Sequence, residues 1–214
     1  MASEVIEGLR RAVIDYDSET AADWAQKAVV FEVAPIKALE ALTEAIRYVG
    51  DRFGKGELWL PDLVGAAEAM QAAMPIIEVE LSRTGVKRES QGVIVIGTVY
   101  GDIHNIGKDM VATLLTAAGF EVHNLGVNIR AEEFLGAIDK FGASILAMSA
   151  LLTTTAPEQR RVIESLGKKG IRDRVKVIVG GGAITEEFAE EIGADGYKPT
   201  APGAVGLAKK LVGK

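Results

Sequence analysis

The stretch "GVIVIGTVYGDIHNIGKDM", residues 92–110, decides the fold, because it joins an apolar run to a helical pattern through a short polar loop. Its first half is rich in β-branched residues and is bounded by Gly92 and Gly101, which predicts a buried strand. A helix is predicted from about Ile106 to Ala118. The loop between them holds His104, one of only two histidines in the chain. The stretch therefore predicts a strand, a loop and a helix.

The rest of the second part of the chain alternates in the same way. Strands are predicted in "FEVHNLG" (120–126), "ASILAMSAL" (143–151), "VKVIVGGG" (175–182) and "ADGYKP" (194–199), each followed by a helical segment. Five short strands alternating with helices indicate an α/β fold with a flavodoxin-like, doubly wound parallel sheet. Ligands of such sheets bind outside the carboxyl ends of the strands. The loops after strands 1, 3 and 4, "YGDIHNIG", "SALLTTT" and "GGGAIT", are thus the candidate site.

The first part of the chain is helical. Apolar residues recur at helical spacing in four segments, with Pro35 between the second and third and Pro61 at the start of the fourth. Four amphipathic helices with short links indicate an antiparallel bundle, in which Pro75 is expected to kink the last helix. The polar stretch "TGVKRESQG" suits a linker. We therefore predict a helical domain over residues 1–88 and an α/β domain over residues 89–214.

Composition disfavours several classes of protein. The net charge is −6 and basic residues are interspersed with acidic ones, which disfavours nucleic acid as a partner. Without cysteine there is no disulfide, thiolate metal site or cysteine nucleophile. No apolar run reaches the ~18 residues that a membrane span needs, and the acidic, amphipathic N-terminus is not a signal peptide. A cytoplasmic protein is expected.

Each candidate loop has a structural explanation when it is taken alone. Asp102 is a suitable helix cap, His104 a suitable solvated loop residue, and the hydroxyls between Ser149 and Thr155 are suitable caps for the third helix of the α/β part. Zinc is disfavoured because it takes three or four protein ligands, and only His123 remains as a second imidazole.

Other nucleotide-binding and signalling folds fit less well. The glycines at 180–182 lack the Lys-Ser/Thr of a P-loop, and the first loop lacks the dinucleotide pattern G-x-G-x-x-G. A response-regulator-like receiver has the same topology, but it would need an acidic cluster at the strand ends. Asp102 alone does not supply that cluster.

Taken together, the loops resemble the cobalamin-binding domain of methyltransferase corrinoid proteins. Three motifs carry the resemblance, D-x-H-x-x-G at 102–107, S-x-L at 149–151 and G-G at 181–182. The helical part resembles the bundle that precedes this domain in that family, so the resemblance covers nearly the whole chain. The greatest likeness is to the carriers of methylamine and methoxy-aromatic demethylating systems.

The resemblance assigns a role to each motif. It implies that His104 is the lower axial ligand of the cobalt in cobalamin and displaces the cofactor's own base, while the corrin supplies four equatorial nitrogens. Asp102 would hold the other imidazole nitrogen, and Thr155 would complete a relay. Further residues implied around the corrin and its nucleotide tail are Asn105, Ile106, Gly107, Ser149, Leu151, Thr153, Gly181, Gly182, Gly196 and Tyr197.

The helical part acquires a role by the same resemblance. Trp59 would cap the upper face of the corrin and protect the reactive cobalt. Met70 and Met74 lie on the following helix, where they are either further cap residues or ordinary core residues.

The function implied is that of a non-catalytic methyl carrier. A substrate-demethylating methyltransferase would supply the methyl group, and a second methyltransferase would pass it to tetrahydrofolate or coenzyme M, with a reductive activation protein as a third partner. Two alternatives share the α/β part: a mutase subunit, against which the helical part argues, and a cobalamin-dependent sensor, which would carry a basic output domain unlike residues 1–91. The methyl donor, the acceptor and the oligomeric state are left open.

Overall fold

The structure is a computed structural model that describes residues 2–84 and 90–213. These residues divide into two compact units, one that comprises residues 2–84 with 116–118 and one that comprises residues 90–115 and 119–213. The boundary predicted at residues 88 and 89 lies outside the described residues and stays a prediction.

The first unit is a bundle of four helices, as the sequence predicts. They are α1 (Ala2–Ile14), α2 (Ser18–Val30), α3 (Pro35–Gly54) and α4 (Leu60–Thr84). Asp17 begins α2 by accepting a hydrogen bond from the Thr20 amide at 2.9 Å, and Pro35 occupies the first turn of α3, where its missing N–H costs nothing. Pro75 lies inside α4, which is one helix from Leu60 to Thr84.

The core of the bundle is rich in small side chains. α1 packs on α2 and α3, and α4 packs on the same two helices. Alanines make up half of the buried apolar residues of this unit, among larger residues such as Leu9, Leu42 and Ile77. Small side chains let neighbouring helices approach closely.

The second unit alternates strands and helices. In chain order these are β1 (Val93–Thr98), α5 (Ile106–Ala117), β2 (Glu121–Asn124), α6 (Ala131–Phe141), β3 (Ile145–Ser149), α7 (Pro157–Lys168), β4 (Lys176–Gly180), α8 (Glu186–Glu191), β5 (Gly196–Tyr197) and α9 (Ala201–Leu211). A 3₁₀ turn, Arg172–Arg174, precedes β4.

The strands form one parallel sheet in the order β2-β1-β3-β4-β5. This is the flavodoxin-like order, so the predicted fold class is confirmed. Thr98 pairs with Ser149, and Ser149 pairs with Gly180. The loops that follow β1, β3 and β4 therefore start level with one another at one edge of the sheet. In the described ranges, no helix combines the length and the hydropathy needed to cross a membrane.

Candidate functional site

Asp102 joins the loop after β1 to the loop after β3. Its carboxylate is fully buried, and Oδ1 accepts hydrogen bonds from the backbone amide of His104 at 3.0 Å and from the His104 ring nitrogen Nδ1 at 2.7 Å. Oδ2 accepts from the Leu151 amide at 2.8 Å and from the Thr155 hydroxyl at 2.7 Å. The D-x-H and S-x-L motifs are thus parts of one hydrogen-bonded structure.

The surroundings of Asp102 keep its carboxyl ionised and decide which nitrogen of the His104 ring faces it with a proton. Burial raises the pKa of the Asp102 carboxyl, but the hydrogen bonds from Thr155, His104 and Leu151 outweigh it and hold that pKa well below its usual range. An ionised carboxylate can only accept hydrogen bonds, so Nδ1 of His104 carries the proton. In the uncharged form of such a ring the lone pair is on Nε2, where a metal ion can bind it.

Thr155 lies beside the Asp102 carboxylate. Its hydroxyl lies 2.7 Å from Asp102 Oδ2 and 3.0 Å from the Leu152 carbonyl oxygen. A hydroxyl donates one proton, and the nearer, charged carboxylate is the stronger acceptor. The series Thr155–Asp102–His104 is therefore continuous, while its role as a relay stays a prediction.

The His104 ring is half exposed, and apolar side chains surround the loops beside it. The exposed fraction of the His104 side chain is 47%, and that of Ile103 is 74%. Ile106, Leu151 and Leu152 are also exposed large apolar residues of these loops. Singly exposed apolar residues are ordinary, but several on adjoining loops mark a surface that an apolar partner covers. A corrin ring fits such a surface.

Two residues outside the sequence motifs hold the loop of His104 in place. The hydroxyl of Thr98, fully buried at the end of β1, donates to the His104 carbonyl oxygen at 2.9 Å. Asn128, in the loop after β2, accepts from the Gly101 amide at 2.8 Å through its side chain. Asn128 has a φ of 60°, a conformation that asparagine tolerates better than most residues. No local sequence pattern marks this contact, because Gly101 and Asn128 are 27 positions apart.

A cavity of about 400 Å³ opens at the same edge of the sheet, between the ends of the strands and the first turns of α5 and α9. It brings together five of the predicted tail residues, namely Gly107, Ser149, Gly181, Gly182 and Tyr197. A Cβ on Gly107 would meet no protein atom within 4 Å, and the same holds for Gly180. Both glycines thus leave open space beside the cavity, which suits a long ligand such as the nucleotide tail.

The glycine pair after β4 also has a structural reason within the protein itself. Gly181 has a φ of 118°, and a Cβ there would lie 2.0 Å from the Ala150 carbonyl oxygen. At Gly182 a Cβ would lie 2.7 Å from Leu151 Cδ1. These two glycines let the loop after β4 pass close to the loop after β3, in addition to lining the cavity.

The remaining predicted site residues lie at the margin of this region. Asn105 and Thr153 are exposed loop residues, and the Asn105 carbonyl oxygen accepts from the Asp109 amide as α5 begins. Gly196 is placed against α9, since a Cβ there would lie 2.8 Å from Leu207 Cδ2. A role for these three residues in cofactor binding stays a prediction.

In the bundle, Trp59 precedes α4 and its side chain is 77% exposed. The Trp59 amide donates to Asp62 Oδ2 at 2.7 Å, which fixes the backbone there. Met70 is buried and Met74 half-buried. The exposure of Trp59 suits a cap residue, whereas the burial of Met70 suits a core residue.

The described side chains do not form a metal site by themselves. Across the described part of the chain, no three His, Asp or Glu side chains are grouped to hold a metal ion. His123 stacks on Phe141 with ring centroids 3.6 Å apart, and its Nε2 lies 2.8 Å from Glu121. A single available imidazole suits a metal whose other ligands come from a cofactor.

Comparison with known proteins agrees with this geometry. A B12 binding domain model matches residues 92–205, and a second B12 binding domain model matches residues 5–78. A corrinoid protein from Desulfitobacterium hafniense is 43% identical over 216 residues and is covered completely, as is this chain. The chain belongs to the methyltransferase corrinoid proteins. Cobalamin is its cofactor, and it is a corrinoid methyl carrier.

Further relatives of this corrinoid protein connect it to methyltransferases. A trimethylamine corrinoid protein of Methanosarcina barkeri is 39% identical, with 96% of this chain and 95% of that protein covered. The methanol:cobalamin methyltransferase complex MtaBC from Methanosarcina barkeri matches with a TM-score of 0.83 and 28% identity, over 99% of this chain and 81% of that chain. Methyltransferases are therefore its class of partner.

Proposed function

We propose that this corrinoid protein binds cobalamin with the lower base detached and His104 in its place. The tautomer of His104 carries the proposal, because the buried Asp102 carboxylate keeps the proton on Nδ1 and leaves Nε2 for the metal. Bound cobalamin supplies a cobalt centre that takes up and releases a methyl group. The chain itself holds that centre and transfers nothing by its own side chains.

The detached tail occupies the cavity at the sheet edge. Gly107 and Gly180 leave room for it, and the Ser149 side chain provides a hydroxyl at the end of β3. Tyr197 lines the same cavity from the end of β5. Asp102 ties the loops together and orients the imidazole through its bonds to Thr155, Leu151 and His104.

Trp59 caps the reactive face of the cofactor. Its large, exposed indole is the support for this assignment. The cap would exclude water and oxidants from the cobalt between encounters with partner enzymes.

The carrier serves two methyltransferases. The first demethylates a small substrate, and the trimethylamine and dimethylamine corrinoid proteins among its relatives favour a methylamine. The second passes the methyl group to tetrahydrofolate or coenzyme M, and a reductive activation protein restores the cofactor after accidental oxidation. A cytoplasmic location suits this exchange among enzymes.

Electron paramagnetic resonance tests the proposed ligand. The protein is produced in cells supplied with either ¹⁴N- or ¹⁵N-histidine, and the purified protein is then loaded with cob(II)alamin. We expect the superhyperfine pattern to change from three lines to two with ¹⁵N, because spin density reaches the ligating nitrogen.

Two variants control this experiment. His104→Ala should lose the label-dependent splitting, while His123→Gln, which removes the other histidine, should keep it. A wild-type spectrum that does not respond to ¹⁵N-histidine would refute the assignment of His104.

A further inference from the structure

The cavity at the sheet edge has two chemically distinct zones. The zone that we call the rim lies at the strand ends and consists of Ser149, Gly180–Gly182 and Tyr197–Thr200. The zone that we call the floor lies deeper along the strands and helices and consists of Ile96, Met110, Val111, Ala147, Ile178 and Ala204. Every side chain of the floor is apolar.

The polar side chains of the cavity wall either belong to the rim or are engaged elsewhere. Lys108 also lines the cavity, but its buried ammonium group bonds to Asn124 at 2.7 Å and to Asp109, neither of which lines it. The Thr200 hydroxyl accepts from the Gly203 amide in the first turn of α9. Ser149, Tyr197 and Lys198 carry the other polar groups, and all three are in the rim.

This division matches the parts of a nucleotide tail. The charged residues that line the cavity, Lys108 and Lys198, are both basic, and Lys198 is exposed in the rim, where it suits a phosphodiester anion. A base that reaches the floor meets only apolar side chains. A polar group that is buried without a hydrogen-bond partner lowers affinity substantially.

We infer that the floor selects corrinoids by the polarity of their lower base, and that it prefers dimethylbenzimidazole to adenine. The inference rests on the proposed function, in which the base is detached and enters this cavity. Dimethylbenzimidazole has one free ring nitrogen, which the Ser149 hydroxyl can serve, and two methyl groups, which suit the floor. Adenine adds an amino group and further ring nitrogens, for which the floor has no polar side chain.

Binding of three corrinoids to the cofactor-free protein tests the inference. The ligands are cobalamin, its analogue with adenine as the lower base, and cobinamide, which lacks the nucleotide tail. We expect the dissociation constant of the adenine analogue to exceed that of cobalamin by about tenfold, as expected for one poorly paired buried polar group. Equal or tighter binding of the adenine analogue would overturn the inference.

A substitution in the floor tests which residues are responsible. Ala147→Ser adds a hydroxyl to the floor and should reduce the preference for cobalamin. Ala137→Ser is the matched control, because Ala137 is a buried alanine of α6 that does not line the cavity. Thermal melting confirms that both variants fold. If the two variants show the same preference as the wild type, the floor does not set it.

The ¹⁵N-histidine spectrum separates this inference from the proposed function. Its splitting depends on His104 and not on the base, so it should appear with all three corrinoids. Equal affinities with the splitting intact would overturn the selection alone. Loss of the splitting with all three would refute the proposed function itself.

Discussion

At the scale of single residues, Asp102 connects two loops whose bonded residues are 49 positions apart in sequence. A helix cap would use the carboxylate for one or two nearby amides. Here the Asp102 carboxylate also accepts hydrogen bonds from the His104 ring nitrogen Nδ1 and from the Thr155 hydroxyl. Because all of these donors converge on one buried group, the protein's own hydrogen bonds hold the geometry of both loops.

Replacing Asp102 by asparagine should therefore destabilise the cofactor-free protein. The amide keeps the shape but loses the charge and one acceptor oxygen, so we expect the free energy of unfolding to fall by about 2 kcal/mol. Urea unfolding measures the change. Asp139→Asn is the control, because it removes an exposed ion pair with Lys169 and should cost less than about 1 kcal/mol. Equal losses in the two variants would contradict this role of Asp102.

Individual site residues could be predicted from sequence where a short motif carries them. Asp102 and His104 lie in one loop, and the resemblance led to Thr155. Asn128 could not be found in this way, and neither could Gln159, a buried glutamine in α7. Their partners lie in other loops and strands, and a side-chain contact over such separations leaves no local pattern.

At the scale of elements, α7 stabilises the carboxyl ends of β3 and β4 through hydrogen bonds from one glutamine, Gln159. Gln159 is completely buried, and its Nε2 donates to the Met148 carbonyl oxygen at 3.2 Å and to the Gly180 carbonyl oxygen at 3.1 Å. Its Oε1 has no hydrogen-bond partner among the described residues, so a buried water is expected there. The loops that line the cavity begin directly after these carbonyls.

Gln159→Leu should thus weaken the binding of the tail more than the binding of the corrin ring. Leucine fills similar space but donates nothing, so the loops after β3 and β4 lose a common support. We expect about a tenfold rise in the dissociation constant of cobalamin, with a smaller change for cobinamide. Ile163→Val, another core change on α7, should affect the two ligands alike. Parallel losses for both ligands in Gln159→Leu would contradict the role.

Asp195 makes the contribution of the β4–β5 edge to stability depend on pH. Burial raises the pKa of its carboxyl, but a 2.8 Å hydrogen bond from the Val177 amide and the charge of Arg172 outweigh it and lower that pKa below its ordinary value. A lowered folded-state pKa means that the stabilisation is complete above the unfolded-state pKa of about 4 and is lost as pH falls through the folded-state value.

Asp195→Asn should then lower stability at neutral pH and flatten the loss of stability in acid. Urea midpoints measured from pH 7 to pH 3 test this, since the wild-type and variant curves should converge towards low pH. The exposed Asp173→Asn on the neighbouring turn is the control and should follow the wild-type curve. Curves that stay parallel to pH 3 would contradict the assignment.

The sequence predicted every strand and helix of the α/β unit, but it placed their ends less well. β5 was predicted over residues 194–199 and is Gly196–Tyr197. The Asp195 carboxylate accepts a hydrogen bond from the Val177 amide, and Pro199 has no N–H to donate to a neighbouring strand. The short strand results from a side-chain contact between distant residues, which hydrophobic periodicity does not report.

At the scale of the whole molecule, the helical unit was predicted from periodicity, whereas its purpose came only from the resemblance. Trp59 is the residue that tests this purpose. With methylcobalamin bound, Trp59→Ala should increase the rate of photolysis several-fold, because solvent would reach the cobalt face. Absorbance under constant illumination gives the rate.

An exposed residue of α4, Val79, serves as the control for Trp59. Val79 is 66% exposed, and Val79→Ala removes apolar surface without removing an aromatic ring. It should leave the rate unchanged. If Trp59→Ala behaves like Val79→Ala, the indole does not cover the cofactor.

The alanine-rich core of the bundle has a consequence for the dynamics of the protein. A buried leucine or isoleucine contributes about 2 kcal/mol through burial, whereas the single methyl of an alanine contributes only a fraction of that. The four helices are thus held by less apolar surface per residue than the sheet, whose strands bury Ile94, Ile145 and Leu146. Amide hydrogens of the bundle would then exchange with solvent through local opening well before those of the sheet. The helical unit, which is assigned to shielding the cofactor, would thus be the part of the chain that opens first.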